Sequence, residues 1–238
     1  MSPYYSKLLN ILIIKLALMI LDVPIFGQET DRTCEPSCLK MVFQYYGEYH
    51  SESQILKGIG GLTKYNSIND LGTLTIDNAL YARRAGFNVN CYSYNMDLLP
   101  SSFEGLGKQE LKREIEKLVN QSQNKNVLEK YLLAIEEGVN LKLRMPNLND
   151  IKDFIVQQVP VILSVNSRIF FENDADIGIG HSIVATGYSN DYFYCNDPWL
   201  SSMKKISSEK LIFALSNNIL KGSAYLIAVK PKINIQNS

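Results

Sequence analysis

Apolar positions recur at Leu39, Val42, Phe43 and Tyr46 with the i, i+3, i+4, i+7 spacing of one helix face, which predicts an amphipathic helix opening near Cys34. Pro36 suits its first turn, where no N–H donor is needed, and Gly47 closes it. A second short helix is expected over 52–57, broken by Gly58, Gly60 and Gly61 before a loop runs to Gly72. Residues 75–85 predict a helix stopped by Gly86, and residues 87–94 a strand.

Between Gly107 and Gly138 the chain is at its most polar. Leu111, Ile115, Leu118 and Val119 mark one helix there, and Leu128, Tyr131, Leu132 and Ile135 mark another. A helix follows over 148–158 and a buried strand over 160–165 (PVILSV). Residues 180–188 and 192–196 form two strands joined by Ser189-Asn190-Asp191, a hairpin signal. Ser207 is placed to cap a helix reaching Leu215, and 224–229 (AYLIAV) is a last strand. Upstream of Cys34, 21–26 (LDVPIF) is expected to be extended, because Pro24 biases Val23 away from helix. Helices dominate the first half and strands the second, the order of an α+β fold with N-terminal helices packed on a C-terminal antiparallel sheet.

The length, 238 residues, suits one large domain or two small ones. The expected division is an apolar extension at 1–20, a domain at 21–230 carrying a helical insertion at about 96–140, and a tail at 231–238. The insertion has too few apolar residues for a core of its own. The apolar run 8–21 is shorter than the roughly 20 residues of a membrane span, and Asn10 and Lys15 interrupt it. No small-x-small cleavage site follows it, so it is expected to be buried or peripheral rather than a signal or anchor. Four cysteines in a chain of this size do not make a disulfide scaffold, and a reducing, cytoplasmic compartment fits them better.

The 24 Lys and Arg balance the 24 Asp and Glu, so neither a basic footprint for nucleic acid nor an acidic tail is present. No G-x4-G-K-[ST] occurs, which excludes an ATPase module of that type. The cysteines and histidines lack a C-x2-C pair and zinc-type spacing, so no metal or other cofactor is expected. Histidine is scarce. With only His50 and His181, a mechanism needing a base near neutral pH has two places to look. His50, in a polar stretch (GEYHSES), is expected to be exposed.

Cys34 lies at a helix start, where open N–H groups and the helix dipole favour negative charge and lower a thiol pKa from about 8.5. Cys38 lies one turn further on, in the body of the helix, and is expected to pack. Strand alternation puts His181, Ile183 and Ala185 on one face and Ser182 on the other, which makes a Ser-His pair improbable. Asp197, before Pro198-Trp199, shares the His181 face if Gly187 or Tyr188 pairs with Asp191 or Tyr192 in an even register, and is separated from it in an odd one. On the shared face it can hold the imidazole tautomer while the other ring nitrogen meets a thiol.

These residues carry a resemblance. Leu21-Asp22-Val23-Pro24, then Gln28, then Cys34-Glu35-Pro36-Ser37-Cys38-Leu39 resembles the opening of the C39 and C39-like papain-type cysteine peptidases, where a glutamine precedes C-G-P-A-x-L. Gly72-Thr73 and the helix ending at Ala85-Gly86-Phe87 look like that family too. So does Gly180-His181-Ser182-Ile183-Val184-Ala185-Thr186-Gly187-Tyr188 with Asn196-Asp197-Pro198-Trp199 after it. The resemblance implies a papain-like fold and a thiol hydrolase, a cysteine peptidase or amidase working through an acyl-enzyme. It implies Cys34 as nucleophile, His181 as general base and acid, Asp197 as its orienter and Gln28 as a side-chain donor to the oxyanion. The substrate would be a peptide or a small amide or acyl compound. A transferase with the same triad, or a non-catalytic peptide-binding module, are the alternatives. Glu35 stands where the family has glycine. A carboxylate there is expected to oppose a thiolate and to add bulk in the path of a substrate backbone.

Overall fold

The computed structural model describes residues 18–64, 71–95, 98–171, 180–218 and 224–232. Most of the apolar run 8–21 therefore lies outside the described residues, as do residues 172–179. No helix among the described residues is long and apolar enough to cross a membrane.

A mostly antiparallel sheet forms the centre. Its strands are β1 (Leu18–Ile20), β4 (Asn88–Tyr94), β5 (Asn140–Lys142), β6 (Val161–Asn166), β7 (Gly180–Ser189), β8 (Tyr192–Asp197), β9 (Ser202–Ser207) and β10 (Ala224–Lys230). They run in the order β5-β4-β10-β6-β7-β8-β9, with β1 added on β7. The β4–β5 pair is parallel and its neighbours antiparallel. A two-residue pair, β2 (Thr63–Lys64) with β3 (Leu71–Gly72), stands apart from this sheet.

The helices are α1 (Cys34–Tyr45), α2 (Glu52–Gly58), α3 (Thr75–Arg84), α4 (Lys108–Val119), α5 (Lys125–Glu136), α6 (Leu148–Val156), α7 (Ser167–Phe171) and α8 (Ser208–Asn217). The apolar stripe of α1 explains its place. Leu39, Met41, Val42 and Phe43 are fully buried, in one core with Ile162, Leu163, Ile183, Val184 and Ile227 of the central strands. Helices α4 and α5 pack on each other beside α3. Their tie to the main body is partly ionic, through Arg84 with Glu137 and Lys130 with Asp77. Tyr131 of α5 enters the shared core and bonds Ser93 of β4.

The expected α+β arrangement of helices packed on an antiparallel sheet is the one observed, with local differences. Upstream of the segment 21–26 the chain adds a short strand that the pattern did not predict, β1 on β7, and the Leu21 N–H continues the pairing by donating to the Thr186 carbonyl. Several short elements escaped the pattern, among them the β2–β3 pair inside the expected loop to Gly72. Strand β5 has three residues, and α7 is a single helical turn and a half following β6 without a break. Strand β9 (SMKKIS) buries only Ile206, because it is a polar edge strand bearing lysines. His50 is not a solvated residue. Its ring packs 4.5 Å from that of Phe43, and Nδ1 lies 2.9 Å from the Tyr81 hydroxyl.

Candidate active site

Cys34 is the first residue of α1 and is partly exposed, whereas Cys38 one turn later is fully buried. The helix start is uncapped by Thr33, whose hydroxyl turns back to accept from the Thr30 N–H at 3.1 Å. The first-turn N–H groups therefore stay open beside the thiol.

His181 and Asp197 meet across the β7–β8 hairpin. Imidazole Nε2 lies 2.9 Å from Asp197 Oδ1, with both side chains buried. The same oxygen accepts the Trp199 N–H at 2.8 Å and the Leu200 N–H at 3.4 Å, so the turn after β8 fixes the carboxylate. The Cys34 thiol is the ring's other side-chain partner, and with Nε2 committed to Asp197, Nδ1 is the nitrogen left for it. Phe171, at the end of α7, covers the ring at 5.3 Å between centroids.

The register that brings this about differs from the simple expectation. At the turn Ser189 pairs with Tyr192 and Tyr188 with Phe193, an odd register that by itself would set Asp197 opposite Val184, on the wrong face. A bulge at Thr186 inserts one residue, so that Ala185 pairs with Cys195 and Val184 with Asn196. Asp197 then falls opposite Ile183, on the face of His181. The bulge sits where β1 comes closest: a Cβ on Gly187 would lie 2.3 Å from the Met19 carbonyl oxygen, and only glycine admits that contact.

Electrostatics set the state of the ring. Burial pushes the His181 pKa down, but the hydrogen bonds to Asp197 and Cys34 and the charges of both outweigh it and raise it to about 9. Behind Asp197, Lys204 of β9 donates to the Phe170 carbonyl at 2.7 Å, with its ammonium over the Phe170 and Phe171 rings. Burial lowers its pKa while the Asp197 and Cys195 charges oppose that. Lysine on a polar edge strand reads as solvated, and no signal in the sequence distinguished this one.

Gln28 lies beside the turn after Asp197. Its N–H donates to the Pro198 carbonyl at 2.9 Å, and its side-chain amide donates to the Thr30 carbonyl at 2.6 Å. That bond uses one of two amide hydrogens and leaves one for a further acceptor. Gly27 allows the close approach, since a Cβ there would meet Ser201 Oγ at 2.4 Å.

The Peptidase_C39 like family matches residues 20–225. The chain belongs to that family. Among solved structures, a C39-like peptidase from Bacillus anthracis is similar at 15% identity and TM-score 0.54, covering 90% of this chain and 98% of that one. The peptidase domain of Streptococcus ComA, a bi-functional ABC transporter involved in a quorum sensing pathway, is 15% identical with TM-score 0.46, over 88% and 99% of the two chains. A double glycine motif protease from an AMS/PCAT transporter, solved with its leader peptide, is 18% identical with TM-score 0.44, over 90% and 95%. A search of curated proteins returned no match.

Within this C39-like frame Glu35 behaves unlike the expectation drawn from its position. Its side chain turns inward and is only 4% exposed, so it adds no bulk outside α1. The Thr73 hydroxyl donates to its Oε2 at 3.0 Å, and Thr75 of α3 bonds it as well. Burial raises its pKa to about 7, with those two bonds pulling down and Asp77 pushing up. Below that pH it is mostly neutral and opposes no thiolate. Among the described residues no cluster of His, Cys, Asp and Glu is placed to hold a metal ion.

Proposed function

We propose that the chain is a thiol hydrolase of peptide or other amide bonds, with Cys34 as nucleophile, His181 as acid and base, and Asp197 as orienter. One observation carries this reading: a buried imidazole held through Nε2 by a carboxylate, with a partly exposed thiol at a helix start as its other side-chain partner. With a pKa near 9 the ring holds a proton at neutral pH, ready for the leaving amine.

Sulfur attacks the substrate carbonyl, the C–S bond forms, and the negative charge passes to oxygen. The Cys34 N–H and the remaining Gln28 amide hydrogen are the donors for that oxyanion, an interaction type worth a few kcal/mol. Collapse breaks the C–N bond as the amine takes the imidazolium proton. The now neutral ring draws a proton from water as its oxygen attacks the thioester; the C–S bond breaks, the carboxylic acid leaves, and the thiolate stands again beside a protonated ring. If an amine replaces water in that step, the same triad works as a transferase. Burial of Glu35 removes the bulk that had argued for a groove with degraded chemistry.

The test is a complex peptide mixture incubated with the protein and read by mass spectrometry, with and without glycinamide. New termini are expected with the parent and with Cys38→Ala, and none with Cys34→Ala. Glycinamide-capped products would identify transfer. Products equally abundant with Cys34→Ala would exclude the reading.

A further inference from the structure

Glu52, in the first turn of α2, was not among the residues that the sequence singled out. An acidic residue there ordinarily faces solvent and favours the helix dipole. Here it is 1% exposed. The helix start does not need it, since Ser51 and Gln54 already form a complete capping box. Its Oε1 instead accepts the N–H of Glu29 at 2.9 Å, reaching back 23 residues to the loop before α1. Its Oε2 is buried with no hydrogen-bond partner among the described residues, and a carboxylate held this way is a poor device for stability, because desolvation opposes it.

What that bond fixes is the residue next to Gln28. The exposed Glu29 carboxylate adds only a weak surface pair, with Lys40 Nζ of α1 at 3.7 Å. On the other side the Gln28 N–H is tied to the Pro198 carbonyl. The peptide carrying the Gln28 side chain is thus held from α2 and from the turn that follows Asp197.

We propose that Glu52 is a positioning residue, which acts through the Glu29 N–H to set the Gln28 amide where an oxyanion forms. This rests on the thiol acyl-transfer reading above. Misplacing a donor by a fraction of an ångström weakens a bond that matters only in the transition state.

Two reagents separate that role from a general effect on the thiol. p-Nitrophenyl acetate acylates sulfur through a tetrahedral oxyanion, forming C–S, breaking the ester C–O and releasing p-nitrophenolate. Iodoacetamide alkylates the same sulfur with loss of iodide and no oxyanion at a carbonyl. Glu52→Leu removes the acceptor while filling its space, and Glu52→Gln keeps an acceptor oxygen.

In Glu52→Leu the p-nitrophenolate burst at Cys34 is expected to slow by about 10–100-fold, part of what losing one oxyanion donor costs. Iodoacetamide alkylation should stay within about twofold, since it makes no use of that donor. Glu52→Gln should retain most of the burst rate, and Glu52→Leu should add little in a Gln28→Ala background. An unchanged burst in Glu52→Leu, or losses that multiply with Gln28→Ala, would overturn the proposal. Should the leucine variant not fold, Glu52→Ala carries the same comparison. Absence of any Cys34-dependent burst in the parent would instead strike at the thiol reading itself.

Discussion

Replacing His181 by alanine is expected to slow Cys34-dependent acyl transfer by roughly 10²–10⁴-fold, the range that a positioned acid–base group contributes. No other group among those described is placed to substitute. His50 is bonded to Tyr81 and packed on Phe43, away from the hairpin. The change also leaves the Asp197 carboxylate buried without its cationic partner, which costs on the order of 3–5 kcal/mol. His181→Asn separates the two effects, since its amide can still donate toward Asp197 but moves no proton. It should melt closer to the parent and remain as inactive as the alanine variant.

The parent's own pH profile follows from the same ring. An imidazole with a folded pKa of about 9 keeps its proton through neutrality, so the rate should fall as pH rises through about 9. The sign for stability is the same. A pKa raised above the ordinary 6.5 contributes stability that is complete below that value and lost as pH rises through 9.

Glu35→Gln is expected to stabilise the protein, and only on the alkaline side. The folded carboxyl titrates at about 7 against an ordinary 4.5, so the folded state prefers it protonated. Below about pH 4.5 both states hold the proton and nothing is lost. Between 4.5 and 7 the unfolded state ionises first, and above 7 the penalty is fully present, roughly 3 kcal/mol for a shift of this size. Glutamine is never charged and still offers an oxygen to the Thr73 and Thr75 hydroxyls. Thermal melts should therefore place Glu35→Gln on the order of 5–10 °C above the parent at pH 8 and level with it at pH 4. An equal shift at both values would mean that charge at Glu35 is not the cause.

Much of this architecture was legible in the sequence because it rests on apolar periodicity. The α1 stripe of Leu39, Val42 and Phe43, the buried run of β6 and the β7–β8 hairpin all follow from patterns that packing enforces. Strand β9 was not legible, since a polar edge strand takes its pairing from β8 rather than from its own composition. The His181–Asp197 contact was legible only as a choice between two registers. The turn takes the unfavourable one, and an inserted residue at Thr186 reverses it, a local feature that no alternation rule contains.

The buried carboxylates were hidden for a related reason. Glu35 and Glu52 both stand in helical first turns, where an acid is ordinarily solvated. Their inward direction depends on hydroxyls at Thr73 and Thr75 and on the Glu29 N–H, which come from distant parts of the chain.

The central claim is that the Cys34 thiol and the His181 imidazole form one reactive pair. Its most direct test is the rate of iodoacetamide alkylation at each cysteine in the native protein from pH 5 to 9, mapped by mass spectrometry, in the parent and in His181→Ala. At pH 6 Cys34 is expected to react faster than a free cysteine, while Cys38, Cys91 and Cys195 stay unmodified in the core. That advantage should disappear in His181→Ala. Alkylation of Cys34 at pH 6 no faster than a free thiol, or at the same rate in both proteins, would contradict it.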